Sequence, residues 1–315
     1  MRVYFCSDIH ASEKCWKKFL ATPKFYAADV IIVGGDITGK FIVPIIEQRR
    51  DRWTAKYLGI DRKLGSKAEV AQLEARIADA GSYAYLTTPD EVAEMERDQA
   101  RVDAVFADLI MQRVHRWLDM ADARLAGTGV RCFVSAANDD IFEVDGALAE
   151  SEVIEDPNGK VIDLDDGLQI MGMGYGNITP WVCPRDIPED ELTRRIDDVA
   201  REVADPARTI FNLHVPPLGS GLDLAPRLDE ELRMVVTAQG PEMIAVGSTA
   251  VRDAIMKYRP LVGLHGHIHE SKGVRTLAGV TIANPGSEYG EGILDGLIVD
   301  IDPRSRTVQT QLVTG

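Results

Sequence analysis

Residues that commonly bind metal ions recur in short clusters along this chain. The set comprises Asp8, His10, Asp36, Asn138, His214, His267 and His269. It contains no cysteine, whereas a structural zinc site usually relies on thiolates. Imidazole and oxygen ligands together suit paired Mn, Fe, Zn, Ni or Co ions. The residue types therefore predict a centre with two metal ions, of the kind that hydrolases use.

Each cluster directly follows an apolar run with the length of a buried strand. These runs cover residues 2–6, 29–35, 130–134, 209–213 and 261–265. Asp8 and His10 are two positions apart, as are His267 and His269, so the members of each pair can project to the same side of a strand end. Ligands in open α/β sheets gather at the carboxyl ends of the strands. We therefore expect five strands to bring these side chains to one edge.

The order of these motifs resembles that of the calcineurin-like metallophosphoesterase family. The family pattern runs D-x-H, G-D, G-N-H-[DE], H and G-H-x-H, and this chain reads SDIH, GGD, AAND, NLH and HGHIH. Residues 283–287, ANPGS, are also similar to a turn found in many members. The match covers both ends of the chain and most of the middle. Five motifs in the same order make the resemblance specific, although any one alone would be weak.

The resemblance assigns a role to each of these residues. It implies that Asp8, His10 and His269 hold one metal ion, that Asn138, His214 and His267 hold the other, and that Asp36 bridges the two. It further implies hydrolysis of phosphomonoesters, phosphodiesters or both, by attack of a metal-bridging hydroxide on phosphorus. Two divalent ions per chain are expected, with Mn favoured and Fe, Zn, Ni or Co as alternatives.

Position 139 departs from the family pattern. Where the family usually has a histidine that contacts the phosphate and protonates the leaving group, this chain has Asp139. An unperturbed aspartate titrates near ~3.9, so it is a poor general acid at neutral pH. We place Asn138 and Asp139 at the reacting centre. Because Asp139 is a poor acid, we expect solvent or another group to protonate the leaving group.

Several polar residues near the motifs have simpler interpretations. His265 is expected to be a buried structural histidine, because it points to the opposite face from His267. His115 is also expected to be structural, and Asp140 to orient its neighbours rather than bind metal. Tyr175, Asn177 and Trp181, in a glycine-rich loop, either shape a substrate pocket or simply pack the loop.

Composition limits the remaining possibilities. The net charge of −15 argues against general nucleic-acid binding, which needs a basic face, but it allows a small phosphorylated substrate beside metal ions. The 4 scattered cysteines include no C-x-x-C pair, so we expect a reducing cytoplasm. No apolar run is long enough to span a membrane, and the first strand leaves no room for a signal peptide.

The family resemblance implies a four-layer α/β/β/α sandwich of two mixed sheets with flanking helices. We expect residues 1–315 to form a single domain of this type. Residues 47–128 carry none of the motifs and are expected to be an almost wholly helical insertion. Such an insertion either covers the active site or forms a homodimer interface.

Two other functions remain open at the level of the sequence. The missing histidine would also fit a catalytically weak, metal-binding scaffold for protein partners. The same ligands would serve a hydrolase that acts on pyrophosphate or phosphonate esters. The presence of all seven expected ligands favours an enzyme over a scaffold.

Overall fold

The computed structural model describes residues 1–315 and has an α/β fold with two six-stranded mixed sheets. The first sheet is built around Arg2–Cys6, Val30–Val33 and Arg131–Val134, which pair in parallel. These short apolar strands are buried on both faces, as parallel strands usually are. Ile154–Glu155 forms one edge, and the antiparallel hairpin of Asp295–Asp302 and Thr307–Thr314 forms the other.

The second sheet has Thr209–Leu213 and Val262–Leu264 at its centre, again in parallel. Gln169–Met173 pairs with the former and Val280–Asn284 with the latter, both in parallel. Two antiparallel strands, Val161–Asp163 and Gly273–Leu277, form the edges. In both sheets the strands that precede the metal-binding motifs are therefore neighbours, which brings their carboxyl ends together.

The two sheets share one buried apolar cluster. Its members alternate along the strands of both sheets and include Val3, Phe5, Ile32, Phe133, Ile170, Ile210, Leu264 and Val299. Because successive side chains of a strand point to opposite faces, the other residues of these strands lie in two separate clusters that also contain helical residues.

Eight α-helices accompany the sheets. They span Glu13–Phe19, Thr22–Tyr26, Lys67–Asp79, Pro89–Met95, Gln99–Leu125, Glu143–Leu148, Glu189–Ala200 and Thr249–Tyr258. Helices Glu13–Phe19 and Gln99–Leu125 pack on the outer face of the first sheet, and Glu189–Ala200 and Thr249–Tyr258 on the outer face of the second. Short 3-10 turns cover Asp165–Gly167, Pro206–Arg208 and Tyr289–Glu291. No helix combines the length and the apolar character that crossing a membrane requires.

The expectation that residues 47–128 are almost wholly helical is wrong. A separate four-stranded sheet lies here, in the order Ile60–Leu64, Arg52–Tyr57, Ile42–Arg49, Tyr83–Thr87. One strand of this sheet shows a two-residue period of burial: Trp53, Ala55 and Tyr57 are buried, while the residues between them are more exposed. That period is typical of a strand with one buried face. Helix Lys67–Asp79 covers this face and shares an apolar cluster with the sheet.

Helix Gln99–Leu125 belongs to the main core, although it lies within the same stretch of sequence. Its buried residues include Val114, Trp117 and Ala121, which share a cluster with the outer face of the first sheet. Trp117 stacks on Trp16 with ring centroids 4.7 Å apart. Residues 47–128 therefore combine most of a small peripheral sheet with a helix that packs in the main core.

Three two-stranded sheets lie outside the two main ones. One pairs Gly176–Asn177 with Asp186–Ile187. The other two pair Leu224–Pro226 with Met243–Ala245 and Val236–Thr237 with Gly240–Pro241. The latter two pairs shape residues 222–247 into a projecting hairpin, which we call the 222–247 arm.

Candidate metal centre

All seven predicted metal ligands converge at one edge of the two main sheets. The first sheet contributes Asp8, His10, Asp36 and Asn138, and the second contributes His214, His267 and His269. Each residue lies in the segment just beyond the carboxyl end of a central strand. The side chains are therefore gathered from five strands in two sheets, and the site exists only when both sheets are in place.

The backbone of the ligand loops is unusual. Asp8, His10, Asp36 and His267 have φ values of 57°, 36°, 51° and 67°, in the left-handed region that residues with a side chain seldom adopt. Such conformations persist where surrounding structure enforces them, and they concentrate at functional sites. Gly266 is part of this enforcement, because a Cβ atom there would collide with Ser7 Oγ and Asp8 Oδ2.

The ligands form two acid–histidine clusters, and a third group brings the Asp139 carboxylate close to His10 and Asp36. In the first, Asp8, His10 and His269 place one ligand atom each within 4.8 Å of one another. His269 Nε2 lies 3.4 Å from Asp8 Oδ1 and 3.1 Å from His10 Nε2. The second cluster contains Asp36, His214 and His267, and its His214 Nε2 lies 3.3 Å from Asp36 Oδ2. Asn138 adjoins the second cluster, with its Oδ1 3.0 Å from His267 Nδ1.

Asp36 lies between the two clusters. Its Oδ2 is 3.3 Å from His214 Nε2 in one cluster and 3.9 Å from His10 Nε2 in the other. Burial would raise the pKa of this carboxyl, but His214 and His10 hold the pKa well below its usual range. The position between two sets of ligands is the one that a bridging carboxylate requires.

Two histidines are held in the tautomer that metal binding needs. His10 Nδ1 lies 3.1 Å from the Thr38 carbonyl oxygen and His214 Nδ1 lies 3.3 Å from that of Gly34. A ring N–H donated to each carbonyl leaves the Nε2 lone pair facing the centre, a common arrangement around bound metals. His214 Nε2 is buried and makes no well-aligned hydrogen bond, although Asp36 Oδ2 lies 3.3 Å away. An ion would supply the missing partner.

The electrostatic field of the centre favours a cation. Burial lowers the pKa of His214, but Asp36 and Asp8 outweigh that effect and raise its pKa to about 9. By contrast, burial lowers the pKa of His10 and of His267 to about 4, so both rings are neutral and able to bind metal. The buried carboxylates that attract a proton to His214 would attract a divalent ion to the same place.

Neighbouring residues brace the ligand loops. Asp140 is buried and accepts hydrogen bonds from the backbone N–H groups of Ile37, Thr38 and Ala137, which ties the Asp36 loop to the Asn138 loop. Asn284 Nδ2 donates to the carbonyls of Gly266 and Ile268, so it braces the loop of His267. His265 is buried and points its Nδ1 at the Leu213 carbonyl oxygen, 2.7 Å away.

Asp139 makes two contacts that the sequence did not reveal. Its carboxylate forms an ion pair with Lys40 and accepts a hydrogen bond from the Cys183 thiol, with Sγ 2.7 Å from Oδ1. Burial lowers the pKa of Lys40, but Asp139 and Asp36 more than offset this and raise it, so the ammonium is retained. The only sequence signal for Lys40 is its place four residues after Asp36. A carboxylate engaged as an acceptor on both sides has no proton to give.

A cavity of about 860 Å³ opens from the metal ligands. Asp36, Asn138, Asp139, His267 and His269 form its floor. Two of the three pocket candidates, Asn177 and Trp181, line its wall. Tyr175 does not line it; its ring lies under the guanidinium of Arg195 at 4.2 Å. The 222–247 arm supplies much of the opposite wall, and no strand pattern in the sequence had marked it.

Comparisons with known proteins show a shared fold at low sequence identity. No protein-family profile matches the chain. A stretch of 155 residues, 46% of this chain, is 24% identical to the uncharacterized protein MJ1162 of Methanocaldococcus jannaschii and spans 63% of that protein. The crystal structure of TT1561 of Thermus thermophilus superposes with a TM-score of 0.55 at 13% identity, over 98% of this chain and 97% of that one.

A second solved structure superposes with a TM-score of 0.54 at 15% identity, over 98% of both chains. A third, described as a novel archaeal phosphodiesterase, aligns over 99% of this chain and 100% of that one, at 11% identity and with a TM-score of 0.35. The first two superpositions concern the fold alone. This chain resembles the calcineurin-like metallophosphoesterases in the order of its five motifs, and the structure gathers the side chains of those motifs at one sheet edge.

Proposed function

We propose that this protein is a metal-dependent phosphoesterase that hydrolyses phosphomonoesters, phosphodiesters or both. The observation that carries the proposal is the convergence of seven side chains into two acid–histidine clusters, with Asp36 of the second cluster also facing His10 of the first. Buried carboxylates at this density, with imidazole nitrogens facing them, suit two divalent cations. The open cavity above such a centre favours an enzyme over a purely structural protein or a scaffold.

We assign one ion to Asp8, His10 and His269 and the other to Asn138, His214 and His267. Asp36 would contact both, and Mn is the favoured metal. Two bound ions would polarise a phosphoryl oxygen and lower the pKa of water toward neutrality, which makes a nucleophile available for attack on phosphorus.

The chain's own groups position the substrate and balance its charge. Lys40 lies in the cavity lining beside Asp139, where its ammonium can meet a phosphoryl oxygen that points away from the metal ligands. The Asp139 carboxylate orients that ammonium. In this arrangement Lys40 replaces the phosphate contact of the missing histidine, while proton delivery to the leaving group falls to solvent.

The test uses purified protein supplied with Mn, an aryl phosphomonoester and an aryl phosphodiester. Wild type should bind close to two ions per chain by elemental analysis and hydrolyse at least one of the two substrates. Asp36→Asn should lower both the metal content and the rate, the latter by several orders of magnitude. Asp119→Asn, which removes an exposed helix carboxylate, is the matched control and should change neither. A wild type that binds no transition metal would contradict the proposal.

We also propose that the main layers stack as an α/β/β/α sandwich within a single domain covering residues 1–315. The support is the arrangement of the apolar clusters: one is shared by the two sheets, and the other two each join one sheet to helices. The insertion is then best described as the peripheral sheet with helix Lys67–Asp79.

For the insertion we favour a homodimer contact over a cap. None of residues 47–128 lines the cavity, whereas Leu58 and Ile60 expose apolar side chains at the tip of its hairpin. Sedimentation velocity should give a dimer for the wild type and a smaller species for Leu58→Lys. A monomeric wild type would contradict this assignment.

A further inference from the structure

The wall of the cavity above the metal ligands is strongly apolar. Phe41, Ile178 and Trp181 line it, although their side chains are 64%, 61% and 64% exposed. Leu228, Met234 and Ile244 of the 222–247 arm face the same space from the other side. Large apolar side chains left open to water on two separate segments, around one cavity, are typical of a binding surface.

Positive charge in the cavity is confined to its floor. Lys40 is the only lysine or arginine in the lining, and its charge is already paired with Asp139. Glu270 adds a negative charge to the lining. A second phosphate or a carboxylate on the ligand would therefore lie against an uncompensated surface, and burying an unpaired charge is costly. The charge pattern fits a ligand with a single phosphoryl group.

Few polar groups of the wall are free to recognise a polar substituent. The Thr179 hydroxyl is committed to Asp186 Oδ2 at 2.6 Å. Asn177 uses its Nδ2 on the Val246 carbonyl at 3.4 Å, and only its buried Oδ1 lacks a partner. A sugar or a nucleobase presents several donors and acceptors, so most of them would lose water without gaining a protein partner.

We infer that the substrate is an amphiphilic phosphoester: one phosphoryl group, bound at the metal ligands, that carries a long aliphatic group lying between Trp181 and the 222–247 arm. For the phosphoryl end, this inference rests on the proposed function. For the aliphatic end, the evidence is the apolar wall of the cavity. A volume of about 860 Å³ is enough for a chain of eight or more carbons.

The test measures binding of straight-chain alkylphosphonates, from ethyl to octyl, to the Mn-loaded protein by calorimetry below their micelle concentrations. Phosphonates carry the headgroup but no ester bond, so affinity is read without turnover. Affinity should rise by about twofold to fourfold per methylene, because each buried methylene gains up to ~0.8 kcal/mol. The heat-capacity change of binding should become more negative along the series.

Variants then locate the aliphatic chain. Trp181→Ser and, independently, Met234→Ser should each reduce the ratio of octyl to ethyl affinity by about tenfold or less, in proportion to the apolar area removed. Phe25→Ser is the matched control, because Phe25 is 79% exposed and lies outside the cavity. It should leave the ratio unchanged. An equal loss in Phe25→Ser would overturn the inference.

Two failures are distinguishable. An affinity that does not depend on chain length would overturn the inference. A rising series in a protein that hydrolyses no phosphoester would support the apolar ligand and contradict the proposed function instead.

Discussion

At the scale of single residues, the reacting centre depends on how Asp139 is engaged. Lys40 and the Cys183 thiol both contact its carboxylate, which leaves it as an acceptor beside the metal ligands. The family that this chain resembles usually has a histidine at the position of Asp139. The consequence is a centre that can neutralise charge on the phosphoryl group but has no evident acid for the leaving group.

This arrangement predicts a steep dependence of rate on the leaving group. Aryl phosphoesters, whose phenolate departs unaided, should be hydrolysed far faster than alkyl esters. Asp139→His should narrow the gap by raising the alkyl rate up to about 10²-fold, since general acid catalysis typically contributes ~10²–10⁴-fold. The measurement is log kcat against leaving-group pKa for a series of esters.

Asp139→Asn is the control for this series, because it removes the carboxylate without supplying an imidazole. Its slope should stay as steep as that of the wild type. A shallow slope in the wild type would mean that some other group already donates the proton, and the role given to position 139 would be wrong.

Asp156 offers a prediction about stability rather than catalysis. Burial raises the pKa of this carboxyl to about 6, despite a hydrogen bond from the Asn158 N–H. A raised pKa favours the protonated form in the folded state, so this contribution to stability is complete below pH ~4 and is lost as pH rises through about 6. The ionised carboxylate therefore lowers the free energy of unfolding at neutral pH.

Asp156→Asn should remove this cost, because the amide is neutral and can still accept from Asn158. The free energy of unfolding should rise by about 1–3 kcal/mol at pH 7.5 and change little at pH 4. Denaturant unfolding at the two pH values measures the difference. Equal effects at both would indicate that the substitution acts through packing, not ionisation.

At the scale of elements, the stretch between the Asp36 and Asn138 motifs contains two parts: one packs in the main core, and the other has a small core of its own. Helix Gln99–Leu125 packs on the first sheet and on helix Glu13–Phe19, where the Trp117 indole N–H donates to the Glu13 carboxylate at 3.1 Å. The peripheral sheet has its own small cluster around Trp53. Their contributions to stability should therefore differ.

Two tryptophan truncations compare these parts. Trp117→Ala should lower the free energy of global unfolding by about 3–5 kcal/mol, because it empties a fully buried site in the main core. Trp53→Ala should loosen the peripheral sheet and leave the main transition nearly unchanged, as expected for a separate unit of lower stability. Guanidinium unfolding followed by far-UV circular dichroism distinguishes them, and similar shifts in the main transition would contradict the division.

At the scale of the whole molecule, the metal centre joins the two main sheets. Four ligands come from the first sheet and three from the second, so bound ions would link the layers across their common edge. Ligands that bind only the folded state stabilise it by mass action. Metal binding and global stability should therefore be coupled.

Adding Mn to chelator-treated protein should raise the melting temperature by several degrees. The expected gain is about 2.7 kcal/mol at a metal concentration 100 times the Kd. Differential scanning calorimetry of the wild type and of Asp36→Asn measures the effect, with Asp119→Asn as the matched control. An equal rise in Asp36→Asn would show that Mn acts elsewhere on this acidic surface.

The sequence by itself determined which residues are candidate ligands and that each of them follows a strand. Each of the seven ligands follows a short apolar run, and both features are local, so they can be read before the chain folds. The α/β class came from the family resemblance, and the order of strands and helices agreed with it. Residues such as Asp140 and His265 were also interpretable, because their position relative to a strand end fixes which way they point.

Only the tertiary structure decided what surrounds those ligands. The pairing of Lys40 with Asp139 joins positions 99 residues apart, and the apolar wall is assembled from Phe41, Trp181 and the 222–247 arm. The peripheral sheet was missed because its two-residue period lies beside strongly helical segments. Contacts between distant segments depend on how whole layers pack, and no local pattern of residues records that packing.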